Sequence, residues 1–365
     1  MNYNKALFCL LLFILPVFFY CFNEKDYFLG NESSYFLEDE RNNIAIFERS
    51  SHCVVNIRST KYARLNFFSY NIMEVPAGSG SGFVWDNKGH IVTNYHVIRN
   101  ADKLVITFSN GKSYRAEVVG KEPKKDIAVL YVKEIARTNK KNKFHVFNIA
   151  NSSDLRVGQK TIAFGSPFGL DQTMTTGIIS ATGRSILGVG RVRIKGMIQT
   201  DASINLGNSG GPLLNSRAEL IGMNTMIYSK TGGSIGIGFA VPSKTIERVV
   251  SQIIKYGRVI QPGLGFEAFD DSVLKKLGKK GVLVRDVVPG GSAEKAGLEG
   301  TYVDANENII MGDIIVAVNK QRVKNYSDLY NILELKKVGQ TVTVTVFRNE
   351  NFVELRIKLI DVHDT

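Results

Sequence analysis

The sequence predicts an all-β barrel or sandwich followed by a smaller α+β module. Between residues 53 and 241, short β-branched and apolar runs alternate with Gly, Asn and Asp turn signals. Few helical periods interrupt these runs, which disfavours a parallel α/β sheet. Beyond Gly257 strands alternate with two helical segments. A chain of 365 residues accommodates two such units and a leader.

Taken in order, residues 1–5 are polar with one lysine, and residues 6–22 are almost unbroken apolar sequence. This is the pattern of an export segment. No small-x-small cleavage site follows it, so a cleaved signal peptide and an uncleaved membrane anchor both stand. Residues 23–43 are polar and acidic without a sustained period and are expected to form a linker or arm. From residue 44 strands are expected at 53–58, 80–85, 90–93, 103–107, 113–119, 127–132, 161–164, 175–180, 194–200, 212–214, 220–225 and 237–241. Pro242-Ser243-Lys244-Thr245 opens a helix with Ile246, Val249, Val250, Ile253 and Ile254 at helical spacing, and Gly257 ends it. A boundary near residue 260 gives domains of 44–258 and 259–361. In the second, strands are expected at 265–269, 282–288 and 313–319, helices at 292–296 and 327–335 with Ser327 as N-cap, and a hairpin across 341–360.

Composition narrows the function. With 44% hydrophobic and 22% charged residues, the chain can bury sizeable cores and is not generally disordered. The net charge of +12 is spread over short runs such as Lys124-Lys125 and Lys279-Lys280, outside any nucleic-acid-binding motif. Nucleic acid is therefore not an expected partner, while weak attraction to an anionic membrane surface is. Cys9 and Cys21 fall in the leader, so Cys53 has no intramolecular disulfide partner beyond it and reads as a small core residue. No metal-ligand spacing joins Cys and His, and no cofactor is implied.

The chemistry gathers at Gly207-Asn208-Ser209-Gly210-Gly211-Pro212-Leu213. A serine nucleophile needs an exposed Oγ and amides aimed at the developing oxyanion, and flanking glycines permit such a backbone. Alone, the motif fits a Gly-rich turn or a G-x-S-x-G elbow equally. The histidines discriminate. Of five, only His96 follows a buried-looking strand, in Thr93-Asn94-Tyr95-His96-Val97. Asp126 opens the apolar run Ile127-Ala128-Val129-Leu130, where a carboxylate is costly unless hydrogen-bonded, as a partner histidine would do. The order His96, Asp126, Ser209 opposes the elbow, which requires a histidine after the serine and finds only His363.

With Gly80-Ser81-Gly82-Phe83 and Gln199-Thr200-Asp201-Ala202-Ser203-Ile204-Asn205-Leu206 added, the chain resembles the HtrA (Deg) family of serine proteases from about residue 45 to 361. Leu206 departs from it, standing where many members have proline. The resemblance implies a chymotrypsin-like double β-barrel and a small α+β PDZ domain. It implies His96 as general base, Asp126 as its orienter and Ser209 as nucleophile, with Gly207, Asn208 and Ser209 forming the oxyanion hole. Ile204, Gly222, Met223, Asn224 and Ile237 are expected to line a specificity pocket; no acid occupies those stretches, so small or medium apolar side chains are the expected preference. Loops 166–173, 183–195 and 226–234 correspond to the family's activation and regulatory loops. In the PDZ domain Gly263, Leu264, Gly265 and Phe266 resemble the loop that holds a peptide carboxylate, Gly312-Asp313-Ile314-Ile315 follows in PDZ order, and residues 302–310 read as a polar insertion. The implied protein is an exported, periplasmic quality-control or stress-response endopeptidase with a possible tether to the inner membrane. It would act on unfolded proteins, bind peptide C-termini, and assemble as a homotrimer or a multiple of trimers. A peptide-binding holdase or stress sensor with a quiescent protease site is the alternative.

Overall fold

The computed structural model describes residues 35–64, 72–138, 144, 146–167, 172–188, 192–227 and 236–363, so the apolar run 6–22 lies outside the described residues. Among the described residues no helix is long and apolar enough to cross a membrane. Residues 1–49 form a unit of their own. Its described part is mostly helix α1 (Glu38–Ser50), in a stretch expected to be linker to residue 43 and then the start of the first domain, with no helix. Local chemistry explains the difference. Glu38, Asp39 and Glu40 sit at the positive end of the helix dipole, Glu40 Oε2 accepts from the Leu37 amide at 2.8 Å, and Asn43 donates to Asp39 one turn back.

The following unit begins with β1 (Val54–Arg64), β2 (Ile72–Val84) and β3 (His90–Thr93), then the one-turn helix α2 (Tyr95–Ile98). β4 (Lys103–Thr107), β5 (Ser113–Glu122) and β6 (Ile127–Tyr131) follow. They close antiparallel in the order β1-β2-β3-β6-β5-β4, with β4 pairing back onto β1. Val55, Ile57, Ile91, Ile106 and Leu130 fill the barrel, each fully buried and each contributing about 1.5–3 kcal/mol by leaving water. Cys53 is buried in this core at the mouth of β1, as its sequence context predicts. The hairpin of β1 and β2 extends well past the expected ends, pairing through Arg64 and Ile72. Its outer part is exposed and so lacks an apolar alternation to announce it.

After the short helix α3 (Lys133–Thr138), a second barrel is built from β7 (Lys160–Gly165), β8 (Thr173–Leu187), β9 (Arg193–Thr200), β10 (Pro212–Leu214), β11 (Leu220–Ile227) and β12 (Gly238–Pro242). Its closed order is β10-β11-β12-β9-β8-β7. Residues 183–187 and 193–195, expected in a loop, are the ends of paired strands β8 and β9. Ala163, Ile179, Ile198, Leu213, Ile221 and Ala240 pack its interior. Helix α4 (Ser243–Tyr256) lies against β5 and β6 of one barrel and β11 and β12 of the other, burying Ile246, Val249, Val250 and Ile253. It stops at Gly257, whose φ of 73° is the left-handed C-terminal cap and whose amide returns to the Ile253 carbonyl.

The last part contains β13 (Pro262–Gly263), β14 (Phe266–Ala268), α5 (Asp271–Lys276), β15 (Val282–Val287), α6 (Ser292–Lys295), β16 (Tyr302–Val303), β17 (Ile309–Ile310), β18 (Ile314–Val318), β19 (Gln321–Arg322), α7 (Tyr326–Leu333), β20 (Thr341–Arg348), β21 (Asn351–Lys358) and β22 (Ile360–Asp361). The sheet runs β14-β15-β18-β20-β21, and β13 pairs with β22. Leu329 and Leu333 of α7 cover a core of Leu264, Val284, Ile315, Val344 and Ile357. The polar insertion is the hairpin of β16 and β17. Asn325, not Ser327, caps α7: its side chain accepts from the Asp328 amide, while Ser327 Oγ accepts from the Arg193 amide of the second barrel. Both residues are good caps by type, and register alone separates them.

Candidate active site

The first barrel supplies two of the three expected triad residues. His96 lies on α2 immediately after β3, and Asp126 ends the turn into β6 with a φ of 57°. That left-handed conformation is tolerated by Asp and is held here by two contacts to its own carbonyl, from the Tyr95 amide and Asn94 Nδ2. The carboxyl group is fully buried. It accepts from the His96 amide at 2.9 Å, from Thr225 Oγ1 at 2.6 Å, and lies 2.7 Å from His96 Nδ1. These bonds offset the burial of a charge. An ionised carboxylate only accepts, so the proton of a neutral His96 sits on Nδ1 and Nε2 is left as an acceptor. The imidazole is 32% exposed, open to an incoming group.

Ser209 comes from the second barrel, in the tight turn before β10. Its carbonyl accepts from the Ser81 amide of β2 at 2.8 Å, and its hydroxyl donates to the Thr225 carbonyl at 3.0 Å. Thr225 thus touches both Asp126 and Ser209. Two glycines make the turn possible. A Cβ on Gly210 (φ 86°) would lie 2.2 Å from the Ser81 carbonyl oxygen, and one on Gly211 2.1 Å from that of Phe164. Reciprocal amide bonds between Gly210, Gly211 and Asn224 tie the turn to β11.

The three residues expected at the oxyanion hole differ in state. Among the described residues, the amides of Gly207 and Ser209 have no intramolecular partner and remain available to an anion. The Asn208 amide is spent on Asn205 O, and its side chain donates to Ser203 O, which braces the loop from within. Gly207 has a φ of 107°. Leu206 is 75% exposed.

Four of the five expected pocket residues are buried. Ile204 packs in the second-barrel core with Ile221 and Ala240. Gly222 sits against Val241 O and Ala240, Met223 is fully buried, and Asn224 uses its side-chain amide on the carbonyls of Phe164 and Pro212. Strand alternation explains this: an apolar run in a barrel faces the core as readily as the cleft. Only Ile237 is partly exposed. The side chains of Met226 and Ile227 and most of loop 226–234 lie outside the described residues, as does much of loop 166–173.

Sequence reasoning missed Thr225, Asn94 and the role of Ser81. Each is a polar residue inside an otherwise apolar strand or its edge, which is the signal that could have found them. His90 shows why a His–Asp contact alone is insufficient: its Nδ1 lies 2.7 Å from Asp86 in a turn remote from the Ser209 loop in sequence and partners.

In the PDZ region Leu264 is buried, Gly265 takes a φ of 82°, and the Leu264 and Gly265 amides have no intramolecular partner among the described residues. Phe266 begins β14, the terminal strand of its sheet. Asp313 of the Gly-Asp-Ile-Ile motif is fully buried and receives a forked pair of bonds from Arg348 at 2.7 and 2.6 Å.

A trypsin-like peptidase domain family matches residues 80–223, and a PDZ domain family residues 233–359. Protease Do-like 1, chloroplastic, of Arabidopsis thaliana is 46% identical over 317 residues, covering 87% of this chain and 71% of that protein. The chain belongs to the HtrA/DegP family of serine proteases. It is a serine endopeptidase with a chymotrypsin-like double barrel and a PDZ domain, as the sequence predicts. Periplasmic serine endoprotease DegP of Escherichia coli (strain K12) is 39% identical over 286 residues, 77% of this chain and 56% of DegP. Among solved HtrA structures, the protease AlgW with a decapeptide superposes with a TM-score of 0.64 at 33% identity, over 86% of this chain and 97% of AlgW.

Proposed function

We propose that this HtrA/DegP-type endopeptidase cleaves unfolded or damaged exported proteins through His96, Asp126 and Ser209. The observation that carries the reading is Thr225, which bonds the Asp126 carboxylate through its hydroxyl and the Ser209 hydroxyl through its carbonyl. One residue of the second barrel thus registers the nucleophile against a base held by the first. In the reaction, Ser209 Oγ leaves the Thr225 carbonyl, passes its proton to His96 Nε2 and bonds to the scissile carbonyl carbon. Asp126 stabilises the resulting imidazolium, and the amides of Gly207 and Ser209 take the oxyanion. His96 then protonates the departing amine, and water repeats the sequence to release the acyl group and restore Ser209.

The PDZ domain is proposed to hold peptide C-termini, the Leu264 and Gly265 amides meeting the carboxylate while the peptide pairs with the free edge of β14. Amidating a peptide's C-terminus removes that charge and is expected to weaken binding at least tenfold by calorimetry. The cleavage site is proposed to accept small or medium apolar side chains. Export to a periplasmic or equivalent compartment, with a possible membrane tether at residues 6–22, is supported by the apolar run and by relatives named periplasmic or chloroplastic. A homotrimer, or a multiple of it, is the proposed assembly, with native mass spectrometry as its test.

A second reading, a holdase with a quiescent site, draws on Ser209 Oγ resting on Thr225 O. Casein separates the two. Wild-type protein degrades it and Ser209→Ala does not; undiminished degradation by Ser209→Ala removes the catalytic assignment, and aggregation suppressed without turnover by wild type supports the holdase.

A further inference from the structure

We infer that Ser81 is a positioning residue for the oxyanion hole. This rests on the reading of Ser209 as nucleophile. Ser81 is fully buried on β2, and all of its polar atoms are engaged. Its amide donates to Ser209 O at 2.8 Å, its hydroxyl donates to Gly207 O, and the same hydroxyl accepts from the Ser166 amide at 2.8 Å. Its carbonyl accepts from Thr93 Oγ1 at 2.7 Å.

The two carbonyls gripped by Ser81 belong to the residues on either side of Asn208. Holding them fixes the peptide planes 207–208 and 209–210. Between those planes lies 208–209, which carries the Ser209 N–H, and next to the first lies 206–207, which carries the Gly207 N–H. Both oxyanion donors are therefore oriented by planes that Ser81 restrains. Restraint matters most at Gly207, which has no side chain to limit its rotation and sits at a φ of 107°. The hydroxyl's second bond extends the grip to the Ser166-Pro167 segment, against which Gly207 is packed so closely that a Cβ would fall 2.6 Å from Pro167 Cβ. Asn56 of β1 holds the same segment by donating to Ser166 O at 2.6 Å. Gly80 lets β2 come this near, since a Cβ there would meet Ser209 O at 3.0 Å. The Gly-Ser-Gly sequence of β2 is thus a bracket from the first barrel onto the catalytic loop of the second.

The test compares wild type with Ser81→Ala, Ser81→Cys and Ser209→Ala on a chromogenic peptide substrate, with thermal midpoints measured for all. Ser81→Ala is expected to lose ten- to a hundredfold in kcat with KM within about twofold, less than the loss on deleting a donor itself. The acid limb of its pH–kcat profile stays in place because the His96–Asp126 pair is untouched. Ser81→Cys, of similar shape and weaker donation, falls between. An unchanged kcat in Ser81→Ala, a rise in KM alone, or equal losses in the alanine and cysteine variants would overturn the assignment. Turnover retained by Ser209→Ala would instead overturn the nucleophile reading beneath it.

Discussion

Asp126 concentrates the cost and the benefit of the site. A fully buried carboxylate in a left-handed backbone conformation is unfavourable twice over, and it is sustained by three side-chain contacts and two to its carbonyl. Replacing it with Asn keeps the volume but offers an amide where an acceptor is needed, so His96 is no longer held in the tautomer that leaves Nε2 free. Asp126→Asn is expected to fold and to lose on the order of 10⁴ in kcat, the loss known for this substitution in a chymotrypsin-type triad. A kcat within tenfold of wild type in a pre-steady-state assay would contradict the role. The His96–Asp126 pairing was legible, because an acid opening an apolar strand calls for a hydrogen-bonding partner. Thr225 and Ser81 were not. Their partners lie 99 and 126 residues away, joined only when both barrels close.

At the scale of elements, α7 of the PDZ domain is anchored beside Asp126. Lys125, next to Asp126, is buried and donates to Glu334 at 2.7 Å and to Asn331 at 3.3 Å, while Arg248 of α4 donates to the other Glu334 oxygen at 3.1 Å. Burial pushes the Lys125 ammonium below its ordinary range, and Glu334 opposes that shift. Lys124 and Lys125 also lie over the ring of Tyr330, at 4.5 and 5.2 Å. Removing one partner strands a buried charge, so Glu334→Ala is expected to cost about 3–5 kcal/mol in chemical denaturation, against about 0–1 for an exposed pair. Glu122 gives a pH signature. Its carboxyl is pushed above the ordinary Glu range by desolvation, which outweighs the Lys124 amide and the nearby lysines. The folded state therefore disfavours the carboxylate, a cost present above the folded pKa and relieved as pH falls. Glu122→Gln is expected to raise the thermal midpoint at pH 8 and to lose that advantage by about pH 4. A lower midpoint at pH 8 would refute it. None of this cluster was legible, because Lys124-Lys125 looks like any solvated basic pair. The α1 helix escaped for a different reason: its signal is capping and charge rather than apolar period.

Across the whole molecule, the two closed barrels and the PDZ sheet follow from the spacing of short strands, while barrel closure itself depends on pairings such as β1 with β4 that spacing does not specify. The cleft residues divide accordingly. His96 and Asp126, marked by motif, meet as expected, whereas of the expected pocket residues only Ile237 is partly exposed, because burial depends on which face of each strand meets the core. Closure of the two barrels is proposed to make Ser209 a base-activated nucleophile. The most direct measurement of this is labelling of the full chain with a fluorophosphonate, followed by intact mass and peptide mapping. One adduct per chain, on Ser209, is expected, slowed at least a hundredfold by His96→Ala. No adduct, an adduct on another serine, or a rate indifferent to His96 would contradict it.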